Sequence, residues 1–116
     1  MKTVLVVEDD ESLRMLYEKE LSDEGYRVLV VESGNAALDI IWKESCDAVI
    51  LDIKMERPDG LEVLSRIKEK KRDMPVIINT AYSTYKGDFG SWAADAYVVK
   101  SSDLTELKEA VRRFTS

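Results

Sequence analysis

Four places in this sequence put a reactive side chain directly after a short β-branched run. The run at 3–7 gives way to Glu8, Asp9 and Asp10, and the run at 47–51 to Asp52. The run at 75–79 is followed by Thr80, and the run at 96–99 by Lys100. Carboxylates crowded together repel one another and raise one another's pKa values unless a hard cation offsets the charge. Magnesium suits such a group, since it takes one or two carboxylates, keeps several waters and shares its other positions with phosphate oxygens. A carboxylate beside that cation can attack phosphorus and form an aspartyl phosphate. Thr80 and Lys100 would then contact the phosphoryl oxygens. Singly, each residue has a duller role. Asp9, Asp10 or Ser12 could cap a helix, Asp52 could end a strand, Thr80 could be an ordinary strand residue and Lys100 a solvated lysine. Their joint placement at four strand ends is what favours phosphoryl chemistry.

The elements that must position these groups alternate along the chain. Strands are predicted at 3–7, 27–31, 47–51, 75–79 and 96–99. Between them, apolar residues recur at helical spacing: Leu13, Leu16, Tyr17 and Leu21 after a Ser12 cap, then Leu38, Ile41 and Trp42 after Ser33. Val63, Leu64 and Ile67 follow the turn signal Pro58-Asp59-Gly60, and Leu104, Leu107, Val111 and Phe114 form the last set. Strands this apolar on both faces belong in a parallel sheet covered by helices on each side. The predicted fold is therefore α/β, a doubly wound (βα)5 parallel sheet of order 2-1-3-4-5, flavodoxin-like. Ligands of such sheets bind outside the carboxyl ends of the strands, where the strand order reverses. With the first and third strands adjacent, Glu8, Asp9 and Asp52 would meet in one crevice. The segment 81–95 is the weak one. Tyr85, Phe89, Trp92 and Ala93 have helical spacing, but Gly87 and Gly90 each cost a helix about 1 kcal/mol. A short or partly melted fourth helix is predicted, its aromatics serving as core or as a partner-binding face.

With 116 residues the chain is read as one domain, 1–116. Hydrophobic residues make up 45% and charged ones 34%, an ordinary globular balance. No apolar run approaches the roughly 18 residues of a membrane span. No signal-peptide core follows Met1-Lys2, so a cytoplasmic location is expected. The single cysteine, Cys46, permits no internal disulfide and suits a reducing compartment. Histidine is absent, which excludes His-based metal sites, Ser-His-Asp and Cys-His catalysis and a phosphohistidine donor role. With 17 basic and 23 acidic residues the net charge is −6, which disfavours direct nucleic-acid binding.

The sequence resembles the receiver domain of bacterial two-component response regulators, the chemotaxis-regulator-like fold. The likeness runs through VLVVEDDESLR at 4–14, AVILDIKM at 48–55, DGLEVL at 59–64, VIINTA at 76–81 and AYVVK at 96–100. It implies that Asp52 is the phosphoacceptor for a histidine kinase or phosphotransfer protein. It implies magnesium (or manganese) held directly by Asp9 and Asp52, by Glu8 through water and by the Lys54 backbone carbonyl. Thr80 matches the switch hydroxyl, Lys100 the family's phosphoryl-binding lysine, and Tyr97 the aromatic whose rotamer reports activation; Asp10 has no ligand role. Output would follow from repacking of the face made by the fourth helix, fifth strand and fifth helix. Implied partners are a downstream output domain or protein and a phosphorylation-dependent homodimer.

Several positions depart from the family pattern. Met55-Glu56 stands where Met-Pro is usual, with proline deferred to Pro58. Ser101 stands where a cis proline usually follows the lysine. A cis bond before a non-proline residue costs about 2.5–4 kcal/mol, so a trans bond and a rearranged loop are predicted there. The resemblance also places Lys54 and Tyr82 beside the path of the water that hydrolyses the phosphoryl group. A long cation and a bulky ring there predict slow self-dephosphorylation.

Other readings weigh less. A flavodoxin-type phosphate loop needs Gly, Ser or Thr after the first strand, whereas Glu8-Asp9-Asp10-Glu11 would repel phosphate. No GxGxxG follows that strand. A haloacid-dehalogenase-type phosphatase would need a second aspartate at Lys54. A receiver-like interaction module that works without phosphorylation remains the alternative.

Overall fold

The computed structural model describes residues 1–83 and 93–116. The predicted fourth helix falls largely on 84–92 and so lies outside the described residues, with Tyr85, Phe89 and Trp92. In chain order the described elements are β1 (Thr3–Val7), α1 (Glu11–Asp23), β2 (Arg27–Val31), α2 (Gly34–Lys43) and β3 (Ala48–Leu51). They continue with α3 (Gly60–Lys70), β4 (Val76–Thr80), β5 (Ala96–Val99) and α4 (Thr105–Thr115). All strand pairs are parallel, in the order β2-β1-β3-β4-β5. This is the predicted topology, with β1 between β2 and β3.

Alternation along the strands splits the core into two layers. Leu5, Val7, Val49, Leu51, Val76 and Ile78 face α2 and α3, meeting Ala37, Leu38, Ile41, Val63, Leu64 and Ile67. Val4, Val6, Ile50, Ile77 and Val98 face the other way, onto Tyr17 and Leu21 of α1 and Leu107, Ala110 and Val111 of α4. The sheet thus carries an apolar layer on each face, and its reactive groups gather at the carboxyl ends of the strands.

Local chemistry sets the helix starts. Asp10, Ser33 and Asp59 each accept a hydrogen bond from the backbone N–H three residues on, satisfying a donor the helix leaves orphaned. For α1 the cap is therefore Asp10 and not the predicted Ser12, because the helix begins at Glu11, two residues before a Ser12 cap would start it. Gly25 closes the turn after α1 at φ +96°, a conformation that favours glycine. Two helix residues predicted for the core sit at its margin: Leu16 is 40% exposed, and Trp42 is 38% exposed, with the Lys70 ammonium 5.2 Å from its ring centroid. Strand ends also shift by one. Asp47 precedes β3 and uses its side chain to accept from the Thr3 N–H at 2.7 Å, while β4 runs on to include Thr80. The cis peptide bond among the described residues is Arg57–Pro58; Lys100–Ser101 is trans, as its cost predicts.

Candidate functional site

Parallel register brings the reactive groups to one end of the sheet. Val7 pairs with Leu51, so Glu8 and Asp52 leave neighbouring strands side by side, and the Asp52 N–H donates to the Val7 carbonyl at 3.3 Å. On the next pair of strands Thr80 lies opposite Val99, and the Lys100 N–H donates to the Thr80 carbonyl at 2.7 Å. Glu8, Asp9, Asp52, Thr80 and Lys100 therefore meet where the sequence predicts.

The carboxylates form a metal-capable group: one oxygen from each of Glu8, Asp9 and Asp52 lies within 4.8 Å of the others. Glu8 and Asp52 are buried, and Asp9 is exposed at the mouth. Lys100 ties the buried pair together, its Nζ lying 2.7 Å from Glu8 Oε1 and 3.0 Å from Asp52 Oδ2. The other Glu8 oxygen accepts from the Asp10 N–H at 3.1 Å, and Arg14 donates to the Glu8 carbonyl at 2.9 Å. Asp10 itself caps α1 and stands outside the metal-capable group.

Electrostatics follow from that burial. Desolvation raises the Glu8 carboxyl above its ordinary value, with the Asp52 charge adding to the rise and Lys100 and the Asp10 N–H opposing it. Burial would lower the Lys100 ammonium, but its hydrogen bonds and charge attraction to Glu8 and Asp52 together outweigh that and its pKa is raised. Lys100 is thus a fixed positive charge. Two buried side-chain oxygens among the described residues have no hydrogen-bond partner: Asp52 Oδ1 and Thr80 Oγ1. A buried polar group left unpaired costs about 1–3 kcal/mol, and both belong to this one site. The donor set is all oxygen, anionic and part-buried, which is what a hard dication requires.

The remaining predicted residues surround this centre. Lys54 is exposed, with its ammonium 5.8 Å from the centroid of the Tyr82 ring, within cation–π range. Tyr97 is half-buried against the larger core layer, and its hydroxyl donates to the Tyr82 carbonyl. A cleft of about 400 Å³ opens beside Asp9, lined by Glu32, Ser33, Asn35, Met55, Glu56 and Arg57.

Sequence reasoning missed a second polar layer. Tyr17 and Asn79 are 2% and 3% exposed, and the Asn79 side chain influences the Tyr17 phenol. Burial raises the pKa of the Tyr17 phenol, the Asn79 side chain and the Lys100 charge pull it down, and the Glu8 and Asp52 charges push it up. The one available signal was Asn79 itself, a polar residue inside an otherwise apolar strand.

A family model for the response regulator receiver domain matches residues 4–112. The chain belongs to the response regulator receiver family. Sporulation initiation phosphotransferase F of Bacillus subtilis is 34% identical, over 96% of this chain and 91% of that protein. Response regulator MprA of Mycolicibacterium vanbaalenii is 36% identical, over 94% of this chain and 48% of that protein, so the receiver spans about half the length of such relatives. Among solved structures, response regulator TrrA of Thermotoga maritima in complex with Mg2+–BeF is 47% identical with a TM-score of 0.96, covering 98% of this chain and 99% of that one. TrrA in complex with the histidine kinase ThkA is likewise 47% identical, with a TM-score of 0.95 and all of both chains covered. In this receiver no helix among the described residues is long and apolar enough to cross a membrane.

Proposed function

We propose that residues 1–116 act as a phosphoacceptor switch whose acceptor is Asp52. The observation that carries this is the state of the Asp52 carboxylate. It is buried, with one oxygen on Lys100 and the other unpartnered, inside a metal-capable carboxylate group and just past the end of the strand beside the one bearing the unpartnered Thr80 hydroxyl.

In this reading an Asp52 oxygen attacks the phosphorus of a phosphohistidine presented by a partner kinase or phosphotransfer protein. The Asp52 O–P bond forms as the P–N bond breaks, and the electron pair leaves on the imidazole nitrogen. Asp9, Asp52 and the Lys54 carbonyl would hold magnesium, with Glu8 acting through water; bound there, the ion offsets the charge that spreads over the phosphoryl oxygens. Lys100 supplies a second fixed cation, and the Thr80 hydroxyl donates to a phosphoryl oxygen once one is present. Thr80 then swings toward the phosphoryl oxygens, and the space it leaves favours the inward position of Tyr97, changing the face formed by β5, the last helix and the segment before β5. Partner affinity changes by population shift, and a tenfold change needs only about 1.4 kcal/mol. A cytoplasmic setting, a downstream output partner and a homodimer formed on phosphorylation fit this scheme. Self-hydrolysis is slow, because Lys54 and Tyr82 crowd the approach of water.

Acetyl phosphate with and without magnesium, followed by intact mass, tests the reading. Wild type should gain one phosphoryl group only with the metal, and Asp52→Ala none. No gain in wild type would leave a receiver-fold interaction module that works without phosphorylation.

A further inference from the structure

Three neighbouring strands contribute to one bridge among the segments that follow the acceptor and the Thr80 hydroxyl. Lys54 follows Asp52 by two residues at the end of β3, and Tyr82 follows Thr80 by two at the end of β4. Because β3 and β4 are adjacent, the contact between the Lys54 ammonium and the Tyr82 ring joins the two segments that leave Asp52 and Thr80. Tyr97 lies on β5, opposite Ile78 of β4, and its hydroxyl reaches across to the Tyr82 carbonyl. Tyr82 is therefore held at its ring by Lys54 and at its backbone by Tyr97. The ring is 47% exposed, so burial alone does not fix it in place.

We infer that Tyr97 is a positioning residue for the lifetime of the phosphoryl group: its hydroxyl holds Tyr82 in place and so keeps the Lys54–Tyr82 bridge closed across the mouth. Release of Tyr97 from the Tyr82 carbonyl opens the bridge and admits water to the acyl phosphate. This rests on Asp52 being the acceptor, as proposed above.

The test loads the protein with acetyl phosphate and magnesium, removes the donor by desalting into magnesium buffer, and follows loss of the phosphoryl mass with time. Tyr97→Phe, which keeps the ring and removes only the hydroxyl, should shorten the half-life about fivefold, the change expected from losing one hydrogen bond. Tyr82→Ala should shorten it at least as much, and Lys54→Met should move it in the same direction. The deciding arm is Tyr97→Phe on the Tyr82→Ala background, where no further shortening is expected because the ring being positioned is gone. Wild-type decay in Tyr97→Phe, or the same fivefold effect without the Tyr82 ring, would overturn the inference and leave Asp52 as acceptor. Failure of wild type to gain mass at all would overturn both.

Discussion

Gly60 opens α3 pressed against the strand that ends at the acceptor. A Cβ built on it would lie 2.1 Å from the Asp52 carbonyl oxygen, 2.6 Å from Ile53 Cα and 2.8 Å from the Asp52 carbonyl carbon. Ordinary carbon contacts sit near 3.5–4.0 Å, so Gly60→Ala demands a displacement on the order of 1 Å. All three obstacles are backbone and cannot rotate away. The helix cannot retreat freely either, because Val63, Leu64 and Ile67 are fully buried in the core layer below it. Overpacking of this kind costs about 1–3 kcal/mol, occasionally more, and alanine's better helix propensity returns at most about 1 kcal/mol. A net loss near 2 kcal/mol is expected. With a urea m-value of about 1–3 kcal/mol/M for a chain this size, the unfolding midpoint should fall by roughly 1 M. Gly25→Ala is the control: its φ of +96° is strained for alanine, but its Cβ meets nothing within 4 Å, so the cost is about 1 kcal/mol. Gly60→Ala should also slow magnesium-dependent phosphorylation, since the Asp52 backbone must move, whereas Gly25→Ala should not. A Gly60→Ala midpoint no lower than that of Gly25→Ala would refute the packing argument.

Other outcomes follow from the site and its surroundings. Lys100→Met leaves Glu8 and Asp52 facing each other without their shared cation, and should cost about 3 kcal/mol in magnesium-free buffer. Added magnesium should raise the melting temperature of that variant more than that of wild type; equal shifts would show that the lysine and the metal do not share the carboxylates. Tyr17→Phe and Asn79→Leu should each cost about 1–2 kcal/mol by urea unfolding, and the double variant clearly less than the sum, since the two polar groups are buried together and interact. Burial raises the Cys46 thiol pKa, so at mildly alkaline pH its thiolate fraction is below that of an exposed cysteine. Iodoacetamide should accordingly modify it more slowly in the native than in the urea-unfolded protein, and equal rates would contradict that burial.

The parallel sheet was legible because β-branched runs on both faces of a strand have few other uses, and the strand order placed Glu8, Asp9 and Asp52 together as soon as β1 and β3 were neighbours. Ends of elements were less legible. Ser12 and Asp10 can both accept a capping bond, and only the path of the chain after Glu8 decides between them. Trp42 carries the right helical spacing for the core, yet at the margin of α2 its ring is better used beneath the Lys70 ammonium. The Lys100 bridge between two buried carboxylates and the Tyr17–Asn79 pair depend on side-chain reach across strands, which spacing along the chain does not encode.

The acceptor itself can be located chemically. Borohydride reduces an acyl phosphate, so treating the acetyl-phosphate-loaded protein with it and sequencing the peptides by tandem mass spectrometry marks the residue that carried the phosphoryl group. Conversion of the aspartate at position 52 to homoserine, in magnesium and not in EDTA, is the expected result. Label on Asp9, Asp10 or any other residue, or label at 52 that ignores the metal, would contradict the assignment.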